Sequence, residues 1–252
     1  MIMRARDRKR ILVADDTLPM RIMLQDVLSE AGYEVTIAAD GEEAWGTLQT
    51  EGEDIDLLIL DLLMPRMTGF EILERFHELD QTHPKKVLVI TGIFKSQKEV
   101  QRLRELGANG YITKTALVDE ILFRVNQVFH LGQENSRKFP RLLMSLPIDY
   151  KVRDGQYSNF TSNLSAGGAF IRTIDPAPPN ETLELTFCIP DTNMAVSATG
   201  RVVWTNEYET YRKKACLPGM GVEFVDLSPD LKKHLCEYVS QKLVNEPVWL
   251  ET

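Results

Sequence analysis

LLILDLLMPRMTGFE, residues 57–71, decides how the first half of the chain is read. Residues 57–60 form a short, continuous apolar run that stops at a carboxylate, Asp61, and the segment after it holds Pro65 and Gly69. An apolar run of this length, bounded by turn signals, suits a strand buried on both faces, as in parallel sheets covered by helices. Met64-Pro65 and Gly69 read as loop shape, because proline fixes φ and glycine permits a tight turn. Working outward, residues 11–14, 35–38, 87–90 and 110–113 have the same character and complete a set of five candidate strands.

Amphipathic stretches lie between the strands. Met20, Leu24, Val27, Leu28 and Ala31 fall on one helical face, with Gly32 in the position of a C-terminal cap. Asp40 with Glu43, and Ser96 with Glu99, have capping-box spacing and mark two further helix starts. Val118, Ile121, Leu122, Val125 and Phe129 supply the apolar face of a last helix. Strands alternating with such helices predict an α/β domain over residues 10–130, a five-stranded parallel sheet wrapped on both faces. Residues 131–136, LGQENS, carry no periodic face and read as a linker. Beyond it the apolar period drops to two: Leu183, Leu185, Phe187 and Ile189 alternate with polar residues, as do Val196, Ala198, Val202 and Trp204 around a glycine. Residues 137–252 are therefore expected to form a small antiparallel β-barrel with Trp204 and Phe224 in its core. A terminal helix is predicted to start at Ser228-Pro229, with Leu231, Leu235, Tyr238 and Val239 on one face.

The composition, 43% hydrophobic and 26% charged over 252 residues, is that of an ordinary globular protein. No stretch approaches the roughly 18 apolar residues of a membrane helix. The start of the chain lacks the apolar core of a signal peptide, so a cytoplasmic protein without a membrane span is expected. A net charge of -8 disfavours general nucleic-acid binding, no helix-turn-helix is evident, and no DNA partner is expected. Cys188, Cys216 and Cys236 suggest buried small hydrophobes rather than disulfides or a metal knuckle. His77, His83, His130 and His234 are scattered and suggest no metal or base site. Arg4, Arg6, Arg8, Lys9 and Arg10 read as a solvated basic arm, with residues 1–9 outside the first domain.

In a parallel α/β sheet, functional groups gather beyond the carboxyl ends of the strands, where strand order reverses. The predicted strands end in Asp15-Asp16, Asp61, Thr91 and Lys114. Three carboxylates in one crevice repel one another unless a cation sits among them. Lys114 and a divalent ion supply that charge, and an oxygen-only ligand set selects a hard ion such as Mg²⁺.

The strings ILVADD (residues 11–16), LLILDLLMPRMTGFE and YITK (residues 111–114), with Thr91 at a strand end, resemble the receiver domain of bacterial response regulators. The resemblance covers residues 10–130 and implies a doubly wound, flavodoxin-like fold. It further implies that Asp61 accepts a phosphoryl group from a sensor histidine kinase and that Asp15 and Asp16 join Asp61 around Mg²⁺. By the same resemblance Thr91 and Lys114 contact the phosphoryl oxygens and Tyr111 is an aromatic switch. Two positions depart from the family. Thr115 stands where a proline, often following a cis bond, is usual; a Lys-Thr bond in cis costs about 2.5–4 kcal/mol, so the loop is either trans or strained. Thr68 stands where an acidic residue is common. Phosphatases of the haloacid-dehalogenase type also use a strand-end aspartate with Mg²⁺, but they carry Asp-x-Asp there. Leu63 takes the second position here, so the general acid is missing and no enzyme is expected.

Arg137-Lys138-Phe139-Pro140-Arg141 and Asn163-Leu164-Ser165-Ala166-Gly167-Gly168 are weak signals one at a time. In this order, flanking a strand, they resemble the PilZ domain, whose Arg-x-x-x-Arg and Asp/Asn-x-Ser-x-x-Gly motifs bind cyclic di-GMP. The string GVEF at residues 221–224 resembles its late strand, and the likeness spans residues 136–245. It implies a ligand site at Arg137, Arg141, Asn163, Ser165 and Gly168. The chemistry suits the ligand: a guanidinium offers paired donors to phosphate or to guanine O6 and N7, and glycine allows close backbone approach. The resemblances together imply a response regulator that is phosphorylated on Asp61, binds cyclic di-GMP and signals to a downstream protein, as a monomer or a homodimer. The alternative is a phosphorylation-controlled interaction module whose PilZ-like barrel binds no nucleotide.

Overall fold

The computed structural model describes residues 8–79, 86–92, 97–129, 139–192, 194–207 and 217–243. They fall into two compact units, one up to residue 129 and one from residue 139 onward.

The first unit runs β1 (Arg10–Ala14), α1 (Leu18–Glu30), β2 (Glu34–Ala38), α2 (Gly41–Glu51), β3 (Leu57–Asp61), α3 (Gly69–Leu79), β4 (Val87–Thr91), α4 (Gln97–Glu105), β5 (Gly110–Thr113) and α5 (Val118–Phe129). All five strands are parallel, in the order β2-β1-β3-β4-β5. Helices cover both faces, which is why these strands read as unbroken apolar runs rather than alternating ones. Leu12, Leu58, Leu60 and Val89 pack with Leu48 of α2 and Ile72 and Leu73 of α3. Ile11, Val13, Ile59 and Ile90 pack on the opposite side with Leu24 and Leu28 of α1 and Val125 and Val128 of α5.

Local signals set the helix ends. The Asp40 side chain accepts from the N–H groups of Glu42 and Glu43 at 2.9 and 3.0 Å, while the Glu43 carboxylate reaches back to the Ala39 N–H at 2.7 Å, one residue beyond the usual box. Thr68 and Glu71 form a full capping box at α3: Glu71 Oε2 accepts from the Thr68 N–H at 2.7 Å and Thr68 Oγ1 accepts from the Glu71 N–H at 3.2 Å. Thr68 thus serves as the cap of α3, a role that an acidic residue at this position would fill as well. Gly32, at φ +97°, ends α1, as its sequence position predicts. Ser96 lies outside the described residues.

Of the N-terminal basic cluster, Arg4 and Arg6 lie outside the described residues, and Arg8 is exposed. Arg10 is the first residue of β1 and pairs with Glu51 at 2.6 Å and Glu34 at 3.1 Å, and Lys9 pairs with Asp56 at 3.2 Å. The Arg10 side chain is thus held against the acidic residues at this end of the sheet rather than solvated, while Lys9 pairs with Asp56 and stays 57% exposed.

The second unit comprises β6 (Leu142–Leu143), β7 (Pro147–Val152), β8 (Gly155–Ser165), β9 (Gly168–Arg172), β10 (Thr182–Ile189), β11 (Met194–Asn206), β12 (Gly219–Phe224) and α6 (Pro229–Leu243). Antiparallel pairing in the order β8-β7-β10-β11-β12-β9, closed by β9 on β8, makes a six-stranded barrel, and β6 adds to β8. Along β10, Leu183, Leu185, Phe187 and Ile189 point inward and the residues between them outward. Leu235, Tyr238 and Val239 of α6 complete this core.

Two core expectations fail. A register shift between Val202 and Trp204 breaks the alternation of β11 and turns Trp204 outward, 44% exposed, whereas Phe224 is buried against Phe187. Cys188 sits on the outer side of β10 and is exposed; Cys236 is partly buried, and Cys216 lies outside the described residues. No described helix is long and apolar enough to cross a membrane.

Deleting the inward Leu185 side chain tests the alternation. Leu185→Ala should cost about 2–5 kcal/mol of barrel stability in urea unfolding, whereas Glu184→Ala should stay within about 0.5 kcal/mol. Equal losses would contradict the inside-outside assignment.

Candidate functional site

In the first unit β1 lies between β2 and β3, so strand order reverses there and a crevice opens past the carboxyl ends of β1 and β3. Asp15 follows β1 and is fully buried, Asp61 closes β3 and Thr91 closes β4, each of the latter two only 2% exposed. Lys114 follows β5 and reaches across the β4 end. Its Nζ donates to Asp61 Oδ2 at 2.7 Å and lies 2.8 Å from Asp15 Oδ2. The second contact is off the line of a hydrogen bond, so Asp15 Oδ2 is held by charge alone. Asp15 Oδ1 is fixed by the N–H of Thr17 at 2.8 Å and by its hydroxyl.

Burial pushes the Asp61 carboxyl above the ordinary aspartate range, against the opposing pull of Lys114. Burial alone would lower the Lys114 ammonium, but its close contacts with the Asp15 and Asp61 carboxylates outweigh that and raise it. Asp16 is exposed, and ligand oxygens of Asp15, Asp16 and Asp61 lie within 4.8 Å of one another. Trans oxygens on Mg²⁺ are about 4.2 Å apart, so an oxygen-only set of this size fits a hard divalent ion after small side-chain shifts.

The Lys114 N–H donates to the Thr91 carbonyl at 2.8 Å, which ties the lysine to the end of β4. No peptide bond among the described residues is cis, so the Lys114-Thr115 link is trans, and the Thr115 hydroxyl lies 3.2 Å from that of Thr113. Tyr111, on β5, is half-buried. The five residues singled out around Asp61 in the sequence therefore divide: Asp15, Asp16 and Lys114 gather at Asp61, Thr91 ends the neighbouring strand, and Tyr111 stands further back on β5.

In the barrel, Asn163 and Ser165 end β8. The Ser165 hydroxyl donates to the Gly168 carbonyl at 3.1 Å and accepts from the Gly167 N–H at 3.3 Å, closing the turn into β9. A Cβ at Gly167 would strike the Phe139 ring, and one at Gly168 the Val222 carbonyl of β12. Arg141 immediately precedes β6, whose Leu142 and Leu143 pair with Leu164 and Asn163, so Arg141 adjoins the strand paired with the one that carries Asn163 and Ser165. Arg137 and Lys138 lie outside the described residues. Asn163 Oδ1 is buried without a hydrogen-bond partner.

A feature that the sequence pattern concealed lies beside Asn163. Asn163 is opposite Phe170, Phe170 opposite Gly221, and Gly221 opposite Trp204, a row running across β8, β9, β12 and β11. Directly opposed residues share a sheet face. Trp204, 44% exposed, stacks at 5.1 Å and 21° on Phe170, which is only 7% exposed, over Gly221, where no Cβ could fit, so the open face of this aromatic shelf is that of Trp204. The available signal was the spacing Gly219-x-Gly221, two strand glycines that make room for aromatic rings.

Residues 11–126 match the family model of the response regulator receiver domain, and residues 135–241 that of the PilZ domain. The chain joins a receiver domain to a PilZ domain. Both are regulatory rather than catalytic families. The receiver-PilZ chain is 35% identical over 125 residues to the alkaline phosphatase synthesis transcriptional regulatory protein PhoP of Bacillus subtilis, half of each protein. It is 34% identical over 119 residues to the transcriptional regulatory protein CpxR of Escherichia coli, 47% of this chain and 48% of that one. The chain thus spans about half the length of these curated relatives. The chemotaxis response regulator CheY4 of Vibrio cholerae is similar over 48% of this chain and 98% of its own, at 32% identity and a TM-score of 0.44.

The buried charge at Asp61 makes a pH prediction. Because its folded-state proton affinity lies above the unfolded value near 3.8, its contribution is most favourable below that pH and is lost as pH rises through the raised value. Asp61→Asn should therefore make the receiver domain more stable than wild type at neutral pH, with a margin that narrows on acidification. Thermal melts across pH check this, and a variant less stable at neutral pH would contradict it.

Proposed function

We propose that Asp61 accepts a phosphoryl group from a sensor histidine kinase and that the PilZ domain binds cyclic di-GMP at Arg137, Arg141, Asn163, Ser165 and Gly168. Both signals then pass to a downstream protein in the cytoplasm. The observation that carries the first part is the Lys114 ammonium held between Asp15 and Asp61. Phosphoryl transfer asks little covalent chemistry of a protein beyond a placed nucleophile and neutralised charge. Asp61 is the nucleophile, Lys114 stabilises the incoming oxygens, and the Thr91 side chain at the neighbouring strand end supplies a hydroxyl to them. Asp15, Asp16 and Asp61 would hold Mg²⁺, which when bound adds positive charge at the phosphoryl oxygens. Tyr111 on β5 would register the change at Lys114. Exposed Leu18, Leu63 and Leu117 each follow a site residue by two or three positions and offer an apolar rim to a protein partner.

For the PilZ domain, the support is the pairing of β6, next to Arg141, with the strand of Asn163 and Ser165, and the aromatic shelf beside Asn163. A guanine base stacked on Trp204 would gain about 1–3 kcal/mol. Arg137 borders residues 131–136, which read as a linker in the sequence, so the nucleotide site adjoins the segment that joins the two domains. The second reading, a barrel that binds no nucleotide, draws on the turn itself: Ser165 is engaged internally, and Gly167 and Gly168 are used by packing.

Incubation with a small phosphodonor and Mg²⁺ should add one phosphoryl group, absent in Asp61→Asn; a label that persists in the variant removes the assignment. Calorimetry should give micromolar cyclic di-GMP binding, weakened about tenfold or more by Arg141→Ala and about fivefold or more by Trp204→Ala. Folded protein that gives no heat selects the second reading.

A further inference from the structure

We infer that Arg66 is a positioning residue for phosphorylation at Asp61, acting through its ion pair with the buried Asp40. The inference rests on Asp61 being the phosphoacceptor. Residues 62–68 link Asp61 to α3. At one end the Leu63 N–H faces Asp61 Oδ1 at 3.4 Å. At the other, the Gly69 N–H donates to the Leu62 carbonyl at 3.1 Å, and Gly69 packs so closely on the Asp61 carbonyl that no Cβ would fit.

The middle of this loop is a three-residue turn in which the Met67 N–H donates to the Pro65 carbonyl at 2.8 Å. Arg66 is its central residue, at φ +67°. A turn of this kind with positive φ is rare, and arginine has no intrinsic preference for it, so the surroundings must hold it. Two holds are present. Met64 and Met67 are buried in the core, and the Arg66 guanidinium pairs with Asp40 and lies 3.7 Å from Glu42.

Asp40 is 1% exposed and its two oxygens divide the work. Oδ1 caps α2, and Oδ2 takes Arg66. A carboxylate that deep needs a cation, and Arg66, itself 58% exposed, provides it from the surface. Gly41 presses against the Met67 carbonyl with no space for a Cβ, so the start of α2 and the loop meet along two contacts. The pair thereby fixes the loop whose Leu63 N–H faces the reacting carboxylate.

Three variants of the full chain separate the pair from the turn. Arg66→Gly keeps the left-handed turn and drops the pair, Arg66→Lys keeps the charge, and Asp40→Asn keeps the cap and removes the anion. At saturating Mg²⁺ and phosphodonor, Arg66→Gly and Asp40→Asn should label about tenfold more slowly than wild type, less than the roughly hundredfold that a 1 Å misplacement of reacting groups can cost. The Mg²⁺ concentration for half-maximal rate should be unchanged, amide exchange at residues 62–68 should rise severalfold, and Arg66→Lys should recover at least half the rate. Arg66→Gly labelling at the wild-type rate would overturn the inference, as would Arg66→Lys being as slow as Arg66→Gly. If Asp40→Asn does not fold, the exposed Arg66 variants decide. Wild-type protein that takes no label removes the phosphoacceptor reading, and this inference with it, whereas a labelled wild type with an unaffected Arg66→Gly removes this inference alone.

Discussion

A lysine ammonium between two buried carboxylates is the interaction around which the receiver domain is arranged. Asp15 and Asp61 end adjacent parallel strands, so the sheet forces them together, and without a cation the pair could not both stay ionised. Lys114 comes from β5, two strands from β3, and its long side chain bridges that span to both carboxylates. The bond from its own N–H to the Thr91 carbonyl fixes where the bridge begins. The burial that raises the proton affinity of Asp61 also shields it from water, leaving a carboxylate that favours incoming positive charge and a defined partner.

The same loop-and-strand logic extends outward from that centre. The β3–α3 connection is anchored by Gly69 against the Asp61 carbonyl, by a capping box at Thr68 and Glu71, and by two methionines in the core. Arg66 ties it to α2. Asp40 is thus at once a helix cap and the anion of an ion pair, which joins the geometry of one helix start to the loop beside the Asp61 carboxylate.

The barrel relies on a different constraint, the absence of side chains. Gly167 admits the Phe139 ring, Gly168 the Val222 carbonyl, and Gly219 and Gly221 the stacked Phe170 and Trp204. Small residues at these points let strands and rings approach closely, which brings the Asn163 strand, the β6 pairing and the aromatic shelf onto one stretch of the outer surface.

The strands of the receiver sheet and the period-two run of β10 were legible because burial on both faces, or on one, leaves its own apolar pattern along the chain. Asp15, Asp16, Asp61 and Lys114 were legible for a related reason: each ends a readable strand, and strand ends in such a sheet converge. Trp204 was misplaced because a single extra residue in β11 reverses every side chain beyond it, and a bulge has no apolar signature of its own. The pairing of Lys9 and Arg10, and of Arg66 with Asp40, was equally invisible, since ion pairs join residues distant in sequence. The amino-acid sequence by itself thus determined the two fold classes and the acidic strand ends, because periodicity and strand termini are local properties. Only the tertiary structure decided which charges meet, which glycines are packing sites and which aromatic ring faces outward, because those depend on register and on contacts between segments far apart along the chain.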